Sequence, residues 1–229
     1  MNIKGLQKTT LLDFPEKLAC TVFTGGCNFR CPFCHNASLV LTPSKVENIS
    51  EEDFFSYISK RKGMLDGVCI TGGEPLLSPD IEEFIKKIRS YGLLVKLDTN
   101  GSFPDKLEHL LDEGLLDYVA MDIKNSKQKY AMTAGVDSFP SEIEKSIDII
   151  IKKAPDYEFR TTVVRELHNT QDIIDIASRI KNAKKYFLQS YVDSGDTIIE
   201  GFSAYSATEM LKILENTKKI LPATVLRGM

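Results

Sequence analysis

Residues 67–101, GVCITGGEPLLSPDIEEFIKKIRSYGLLVKLDTNG, decide the fold class of this chain. An apolar, β-branched run at Gly67–Thr71 is followed by an amphipathic stretch at Pro79–Tyr91 and by a second apolar run at Leu93–Thr99. The two apolar runs have the composition of strands, and the stretch between them has the periodicity of a helix. This unit predicts two parallel strands joined by a right-handed helical crossover.

The same alternation continues along most of the chain. Further strands are predicted at Leu18–Thr24, Tyr118–Ile123, Glu158–Val164 and Tyr186–Gln189. Further helices are predicted at Ser50–Lys62, Pro104–Glu113, Ser141–Lys153, Thr170–Ala183 and Ser206–Leu221. Six β/α units are fewer than the eight that close a complete barrel, so we expect an α/β fold, a partial (β/α)6 barrel of parallel strands. A doubly wound sheet is the alternative, because one sequence does not reveal the order of the strands.

The predicted helices carry chemical signals at their ends. Ser50 and Ser141 each precede an acidic first turn, as expected of residues that cap a helix amino terminus. Gly92 and Gly114 each follow a predicted helix end, where glycine tolerates the left-handed conformation that stops a helix.

Length, composition and charge describe an ordinary globular chain. With 229 residues, of which 42% are hydrophobic and 27% charged, the chain can bury a full core. No repeat or linker divides it, so we expect residues 1–229 to form a single domain in which residues 1–17 are an N-terminal extension packed beside the first strand. The formal net charge of -3 gives no reason to expect a nucleic-acid partner.

Neither a membrane span nor a signal peptide is recognisable in the sequence. No run approaches the roughly 18 to 20 apolar residues that cross a bilayer. The first eight residues lack the apolar core of a secretory signal. We therefore expect no membrane association and a cytoplasmic location, where thiols are kept reduced.

Three of the five cysteines, Cys27, Cys31 and Cys34, lie within eight residues in a Cys-x3-Cys-x2-Cys pattern. In a reducing compartment such a cluster indicates metal binding or catalysis, and thiolates are the usual ligands of iron–sulfur clusters. Three ligands leave one iron of a four-iron cluster open for chemistry. Zinc bound by the three cysteines and His35 is the alternative, although His35 and Cys34 are adjacent and rarely reach the same ion without strain.

The two remaining cysteines call for a different interpretation. Cys20 and Cys69 lie inside predicted strands among apolar neighbours, where free cysteine behaves as a small hydrophobic residue. We therefore expect both to fill the core.

Polar motifs follow three further predicted strands. They are Thr71-Gly72-Gly73-Glu74, Asp98-Thr99-Asn100-Gly101 and Met121-Asp122-Ile123-Lys124. In parallel α/β folds, ligands bind at the carboxyl ends of the strands. The paired glycines allow a ligand to approach closely, and Glu74 supplies a carboxylate suited to an ammonium group. Turn chemistry explains any one of these motifs alone but not their succession.

These residues resemble the radical S-adenosylmethionine superfamily. The resemblance rests on the cysteine spacing, on Phe33 before the last cysteine and on Gly72-Gly73-Glu74. Cys34-His35-Asn36 and the two aspartate motifs look like the branch that activates glycyl radical enzymes. Residues 5–15, GLQKTTLLDFP, and the ending Leu226-Arg227-Gly228 look most similar to anaerobic ribonucleoside-triphosphate reductase activating proteins.

The resemblance implies that Cys27, Cys31 and Cys34 hold a [4Fe–4S] cluster whose fourth iron is chelated by S-adenosyl-L-methionine. It also implies a set of residues that bind this cofactor: Phe33, Gly72, Gly73, Glu74, Asp98 and Lys124. The implied reaction cleaves S-adenosylmethionine reductively and makes a glycyl radical on a partner enzyme. The implied partners are that glycyl radical enzyme, anaerobic ribonucleotide reductase in this branch, and a flavodoxin or ferredoxin-type electron donor.

Three alternatives remain open from the sequence. Pyruvate formate-lyase activating enzymes share the motifs but carry a histidine where this chain has residues 188–192, LQSYV. Radical enzymes that act on a small molecule, such as 7-carboxy-7-deazaguanine synthase, have a similar length. An electron-transfer protein would be expected to have four protein ligands for the cluster and to lack a cofactor pocket. Only Cys20 and Cys69 are left for an auxiliary cluster, so we expect a single cluster.

Overall fold

A computed structural model describes residues 1–193 and 195–228 and contains a sheet of eight strands. The strands are β1 (Ile3–Thr10), β2 (Ala19–Thr24), β3 (Gly67–Gly72), β4 (Leu94–Thr99), β5 (Tyr118–Asp122), β6 (Tyr157–Val163), β7 (Tyr186–Ser190) and β8 (Thr224–Arg227). Their order in the sheet is their order in the sequence. A doubly wound sheet reverses its strand order at a switch point, so the alternative fold is excluded.

Strands β2 to β8 are all parallel to their neighbours, whereas β1 runs antiparallel to β2. In the described part of the chain, β1 and β8 are the two ends of the sheet, which is therefore an open barrel. The six predicted β/α units are present, and the prediction of a partial barrel is confirmed. The expected N-terminal extension contains β1, an edge strand that packs beside β2 as part of the sheet.

Eight helices connect or follow the strands in the described ranges. They are α1 (Ala37–Leu41), α2 (Glu51–Ser59), α3 (Ile81–Ser90), α4 (Pro104–Asp112), α5 (Lys127–Ala134), α6 (Glu142–Lys153), α7 (Thr170–Arg179) and α8 (Ala207–Lys218). None of these helices combines the length and the apolar character needed to cross a bilayer.

Four elements were not predicted, and each has a weak local signal. α1 and β8 are only five and four residues long. α5 does not segregate its apolar residues on one face, and β1, an edge strand, leaves six of its eight residues at least partly exposed. Such elements depend on the neighbours to which they pair, which the sequence does not identify.

Most of the helix-end signals act as expected. The Ser50 hydroxyl accepts a hydrogen bond from the Asp53 amide at 3.0 Å and caps α2. Gly92 and Gly114 have φ angles of 79° and 63°, in the left-handed region. Ser141 occupies the position before α6 as predicted, but its side chain makes no capping hydrogen bond. Acidic residues in the first turn of α6 still favour the helix dipole.

The apolar core lies between the sheet and the surrounding helices. Phe54 and Phe55 of α2 pack against Phe84 of α3, with ring centroids 5.3 and 5.5 Å apart. A smaller apolar cluster includes Phe14, from the β1–β2 loop, and Tyr118. A Cβ atom on Gly67 would lie 2.9 Å from the Phe14 ring, so this glycine makes room for the ring. Gly67 and Tyr118 begin β3 and β5, so the cluster lies at the amino-terminal end of the sheet.

The strands also bury charged residues. Glu158 of β6 is 1% exposed and accepts paired hydrogen bonds from Arg227 of β8 at 2.8 and 3.1 Å. The Tyr118 hydroxyl donates to the same carboxylate at 2.9 Å. The Arg227 guanidinium also lies 3.7 Å from the centroid of the Phe187 ring. These contacts hold the terminal strand β8 in the sheet although it is only four residues long.

We predict that Arg227→Met destabilises the protein by about 2 to 3 kcal/mol, because the buried Glu158 carboxylate loses its hydrogen-bonded cation and keeps only Arg160, at 4.0 Å. This loss is smaller than the roughly 3 to 5 kcal/mol of a fully broken buried pair, since the Arg227 side chain is 37% exposed. Urea denaturation measures the change. Arg165→Met is the matched control, because Arg165 pairs with Glu209 on the surface, where both side chains are about 40% exposed. There we expect a loss of less than about 1 kcal/mol. Equal losses in the two variants would contradict the prediction.

Candidate functional site

A cavity of about 260 Å³ opens at the carboxyl ends of the parallel strands. Of the nine residues predicted for the site, eight line it: Cys27, Cys31, Phe33, Cys34, Gly72, Gly73, Asp98 and Lys124. They come from four separate stretches of sequence, which the parallel sheet brings to one place. Glu74 is the ninth residue and does not belong to the lining.

The loop that carries the cysteines joins β2 to α1 and is anchored near its start and in its middle. The Gly26 amide donates to the Leu39 carbonyl at 2.9 Å, and the Arg30 amide donates to the Ala134 carbonyl at 2.9 Å. Within the loop, the Cys34 amide donates to the Cys31 carbonyl at 3.0 Å. The loop is therefore fixed against α1 and α5 by backbone bonds that do not depend on its side chains.

The three thiols of this loop are free and surround one space. Cys31 is buried, whereas Cys27 and Cys34 are half-buried. Burial raises the pKa of Cys27, and it raises the pKa of Cys31 to about 12, while the nearby ammonium of Lys124 acts in the opposite direction. A group that binds thiolates must supply the positive charge that offsets this burial, as iron does.

The donor set fits a multi-iron cluster. No three His, Cys, Asp or Glu side chains within residues 1–193 and 195–228 come close enough together to hold one metal ion. The thiols nevertheless line the same cavity, as ligands of separate iron atoms in one cluster would. The His35 ring stacks on Tyr191, with centroids 5.3 Å apart. This arrangement gives no support to the zinc alternative.

The two glycines at the end of β3 are required by the backbone of the cysteine loop. A Cβ atom on Gly73 would lie 1.9 Å from the Gly26 carbonyl oxygen, and one on Gly72 would lie 2.4 Å from the Thr24 amide nitrogen. The close approach allows the Gly73 amide to donate to Thr24 and the Glu74 amide to donate to Gly26, both at 2.9 Å. The pair therefore clamps the end of β3 to the start of the cysteine loop, and it also lines the cavity.

Glu74 lies behind the cavity wall and is 1% exposed. Its carboxylate accepts hydrogen bonds from the Leu76 amide at 3.1 Å, the Thr99 hydroxyl at 2.8 Å and the Asn100 amide at 2.6 Å. The carboxylate thus joins the end of β3 to the end of β4. Burial raises the pKa of Glu74 to about 7, although the three donors favour its charged form.

Alternating charges line the deep wall of the cavity. Arg160 of β6 donates to Asp98 of β4 at 3.1 Å and to Asp122 of β5 at 2.9 Å. The Lys124 ammonium lies 3.2 Å from Asp122. Burial opposes the ionisation of both aspartates, but Arg160 with Lys96 and Lys124 holds the pKa of Asp98 and of Asp122 below the ordinary value. Both carboxylates are therefore charged at neutral pH.

Sequence reasoning missed the contribution of β6 and β7 to the site. Arg160, Thr162 and Gln189 line the cavity together with the predicted residues. The signal was present, because Glu158, Arg160 and Thr162 are polar residues at alternate positions of a strand and so share one face. A polar face inside a barrel indicates a site or a buried charge network.

One of the two cysteines expected in the core has a different environment from the one predicted. Cys20 is fully buried in the apolar core. Cys69 is equally buried, but its sulfur lies 3.8 Å from an Asp98 oxygen and 3.7 Å from the Lys96 nitrogen. Cys69 is therefore buried in the core as predicted, but its side chain faces the charged interior.

The family model of the Radical SAM superfamily matches residues 21–180 of the chain. This region includes the cysteine loop and the carboxyl ends of β2 to β6.

Two curated relatives illustrate the range of similar proteins. A protein of Methanocaldococcus jannaschii, provisionally named a glycyl-radical enzyme activating enzyme, is 30% identical over 98% of this chain and 95% of its own length. A protein of Thermococcus kodakarensis, provisionally named a GTP 3′,8-cyclase, is 30% identical over 68% of this chain. This chain spans 51% of the length of that protein.

Among solved structures, the fold is similar to SuiB of Streptococcus suis bound to its precursor peptide SuiA. The TM-score is 0.72 at 16% identity, over 91% of this chain and 48% of SuiB. At this identity the similarity concerns the fold alone.

The elevated pKa of Glu74 predicts a specific pH dependence of stability. Its folded-state pKa of about 7 lies above the ordinary value of 4.5. Glu74 therefore contributes stability that is fully present below about pH 4.5 and is lost as the pH rises through 7. The free energy of unfolding of the native protein, minus that of Glu74→Gln, should fall across this interval. Urea denaturation of both proteins between pH 5 and pH 8 measures it, and a constant difference would refute the prediction.

Proposed function

The chain belongs to the Radical SAM superfamily, and on that premise we propose that it activates a glycyl radical enzyme. It would hold one [4Fe–4S] cluster through Cys27, Cys31 and Cys34 and bind S-adenosylmethionine in the same cavity, as superfamily membership implies. One observation carries the proposal: the thiols of one loop and the charged side chains at the ends of three strands line a single cavity.

The similarity to the Methanocaldococcus jannaschii protein supports the activating branch. That match extends over nearly the full length of both chains, whereas the cyclase match leaves about half of the cyclase unmatched. The match therefore spans nearly all of the residues that form the barrel in this chain.

When bound and reduced, the cluster would supply the electron that cleaves S-adenosylmethionine to methionine and a 5′-deoxyadenosyl radical, which takes a hydrogen atom from a glycine α-carbon of the partner. The chain would bind and orient the cofactor with Phe33, Gly72, Gly73, Asp98 and Lys124. The ammonium of Lys124 and the guanidinium of Arg160 provide positive charge in the cavity, suited to a carboxylate. Glu74 would act indirectly, by fixing the backbone of the strand ends.

The surface around the cysteine loop suits a protein substrate. Four exposed apolar side chains, 42% to 63% exposed, lie on segments that contact this loop: Leu77, Met132, Val192 and Ile199. The Ile199 amide donates to the Pro32 carbonyl at 2.9 Å, and Val192 follows Tyr191, whose ring stacks on His35. Exposed apolar residues grouped around one site are typical of protein-binding surfaces. The open sheet would allow a peptide loop to enter the cavity.

We propose anaerobic ribonucleoside-triphosphate reductase as the partner and a flavodoxin or ferredoxin-type protein as the electron donor, both from the resemblance of the sequence motifs. A pyruvate formate-lyase type of enzyme is the alternative partner. Gln189 lies in the cavity wall of β7, in the stretch where those activating enzymes carry a histidine, which favours the reductase.

A second candidate is a radical enzyme that acts on a small molecule. The match to the cyclase of Thermococcus kodakarensis, at 30% identity over 68% of this chain, favours this candidate, and 7-carboxy-7-deazaguanine synthase is a further example of the class. Such an enzyme would turn over a purine or pterin in the absence of any partner protein.

We predict that anaerobic reconstitution loads about four iron atoms per chain and that Cys27→Ala, Cys31→Ala and Cys34→Ala each lose the cluster. Iron analysis and visible absorbance measure the loss. Cys20→Ala is the matched control, since Cys20 lies in the apolar core. It should keep the iron and lose on the order of 1 kcal/mol of stability. Full iron content in Cys31→Ala would refute the cluster assignment.

We further predict a glycyl radical on the partner when the two proteins are mixed with S-adenosylmethionine and a reductant without oxygen. Electron paramagnetic resonance should show a doublet that disappears when the partner's radical-bearing glycine is replaced by alanine. Ordering a peptide loop in this cavity is costly, so the affinity for an isolated peptide should be modest. Cofactor cleavage with turnover of a purine or pterin, and without a partner radical, would favour the second candidate.

A further inference from the structure

The side chain of Asn100 contacts a cysteine of the proposed cluster. Asn100 follows β4 directly, is 6% exposed and lines the cavity. Its amide nitrogen Nδ2 lies 3.8 Å from the Cys27 sulfur. The Cys27 sulfur also accepts a hydrogen bond from the Phe29 amide of its own loop at 3.4 Å. Asn100 is thus a side-chain donor to Cys27 that lies outside the cysteine loop, directly after β4.

The orientation of this amide is fixed by its other contacts. The Asn100 oxygen accepts hydrogen bonds from the Ser102 amide at 2.9 Å and from the Ser102 hydroxyl at 2.6 Å. Its Nδ2 group donates to the Asn28 side-chain oxygen at 2.9 Å. Because two donors occupy the oxygen, the nitrogen must face Asn28 and Cys27. One of its two hydrogens serves Asn28, and the other is directed towards the sulfur.

The backbone of Asn100 is also held in place. Its amide donates to Glu74 at 2.6 Å, and Glu74 accepts from the neighbouring Thr99 hydroxyl at 2.8 Å. A buried carboxylate at the end of β3 therefore determines where the residue after β4 lies. The position of the donor is therefore set by the sheet.

We infer that Asn100 is a positioning residue that sets the reduction potential of the cluster through Cys27, and that Glu74 acts through it. Hydrogen bonds to cluster sulfurs are among the main determinants of such potentials. Reduction adds negative charge to the cluster and its thiolates, so a donor to sulfur stabilises the reduced form and raises the potential. The inference rests on the proposed function, since it requires the cluster.

The test is the midpoint potential of the reconstituted cluster, measured by redox titration with electron paramagnetic resonance and without S-adenosylmethionine. Asn100→Leu keeps the size of the side chain and removes the donor. We expect about a tenfold lower ratio of reduced to oxidised cluster at a fixed potential, equivalent to about 59 mV for one electron. Asn100→Asp replaces the donor by a negative charge and should shift the potential further in the same direction.

Asn36→Leu is the matched control. Asn36 lines the same cavity, but its amide donates to the Gly72 carbonyl at 3.0 Å and not to a sulfur. The midpoint potential of the cluster in the Asn36→Leu variant should equal that of the native protein. An equal shift in Asn36→Leu would overturn the inference, because any change of the cavity wall would then have the same effect.

A direct measurement covers the case in which the Asn100 variants do not keep the cluster. Native protein labelled with ¹⁵N in the asparagine side chains should show a nitrogen coupling to the reduced cluster in pulsed resonance spectra. Potentials equal to the native value in both variants, or an intact native cluster without this coupling, overturn the inference. A native protein that binds no cluster overturns the proposed function instead.

Discussion

A buried guanidinium holds the functional end of this barrel together. Arg160 of β6 bonds to Asp98 of β4 and to Asp122 of β5, and the side chains of Arg160 and Asp98 are each only 13% exposed. Charges removed from water are stable only when each keeps a bonded partner of opposite sign. Backbone ladders set the spacing of the three strands. Between their side chains at the cavity, charge pairing takes the place of the apolar packing found inside an ordinary barrel. Changing any of these three residues would remove a bonded partner from the others, although Lys96 would still pair with Asp98 and Lys124 with Asp122.

The second constraint is the contact between backbones at the start of the cysteine loop. Gly73 has no Cβ, so β3 can approach Gly26 closely enough for paired hydrogen bonds. Glu74 then continues the connection to Asn100 at the end of β4, and Asn100 contacts Cys27. The cysteine loop, the glycine pair and the aspartate motif look independent in the sequence, but they form one hydrogen-bonded unit. A change in one of them should therefore affect the geometry of the others.

The open form of the barrel affects which substrates could reach the cavity. β1 and β8 end the described sheet on opposite sides, and some exposed apolar residues lie on segments that contact the cysteine loop. The short strand β8 keeps its place through the paired bonds between Arg227 and Glu158. The charge network of the interior thus extends from the cavity, through Arg160 and Glu158, to the edge of the sheet. These features are compatible with a protein loop entering the cavity, which is the function proposed for the chain.

The sequence by itself determined the elements whose signals are local. Apolar periodicity gave the six β/α units, the cysteine spacing gave the loop, and eight predicted residues line the cavity. The tertiary structure alone decided the strand order, the placement of β1 and β8, and the partners of Arg160 and Cys69. It also placed Glu74 behind the wall, with three donors from two segments. The physical reason is the separation of the residues along the chain. Periodicity and spacing are properties of neighbouring residues, whereas charge pairs and strand pairings join residues that are distant in the chain.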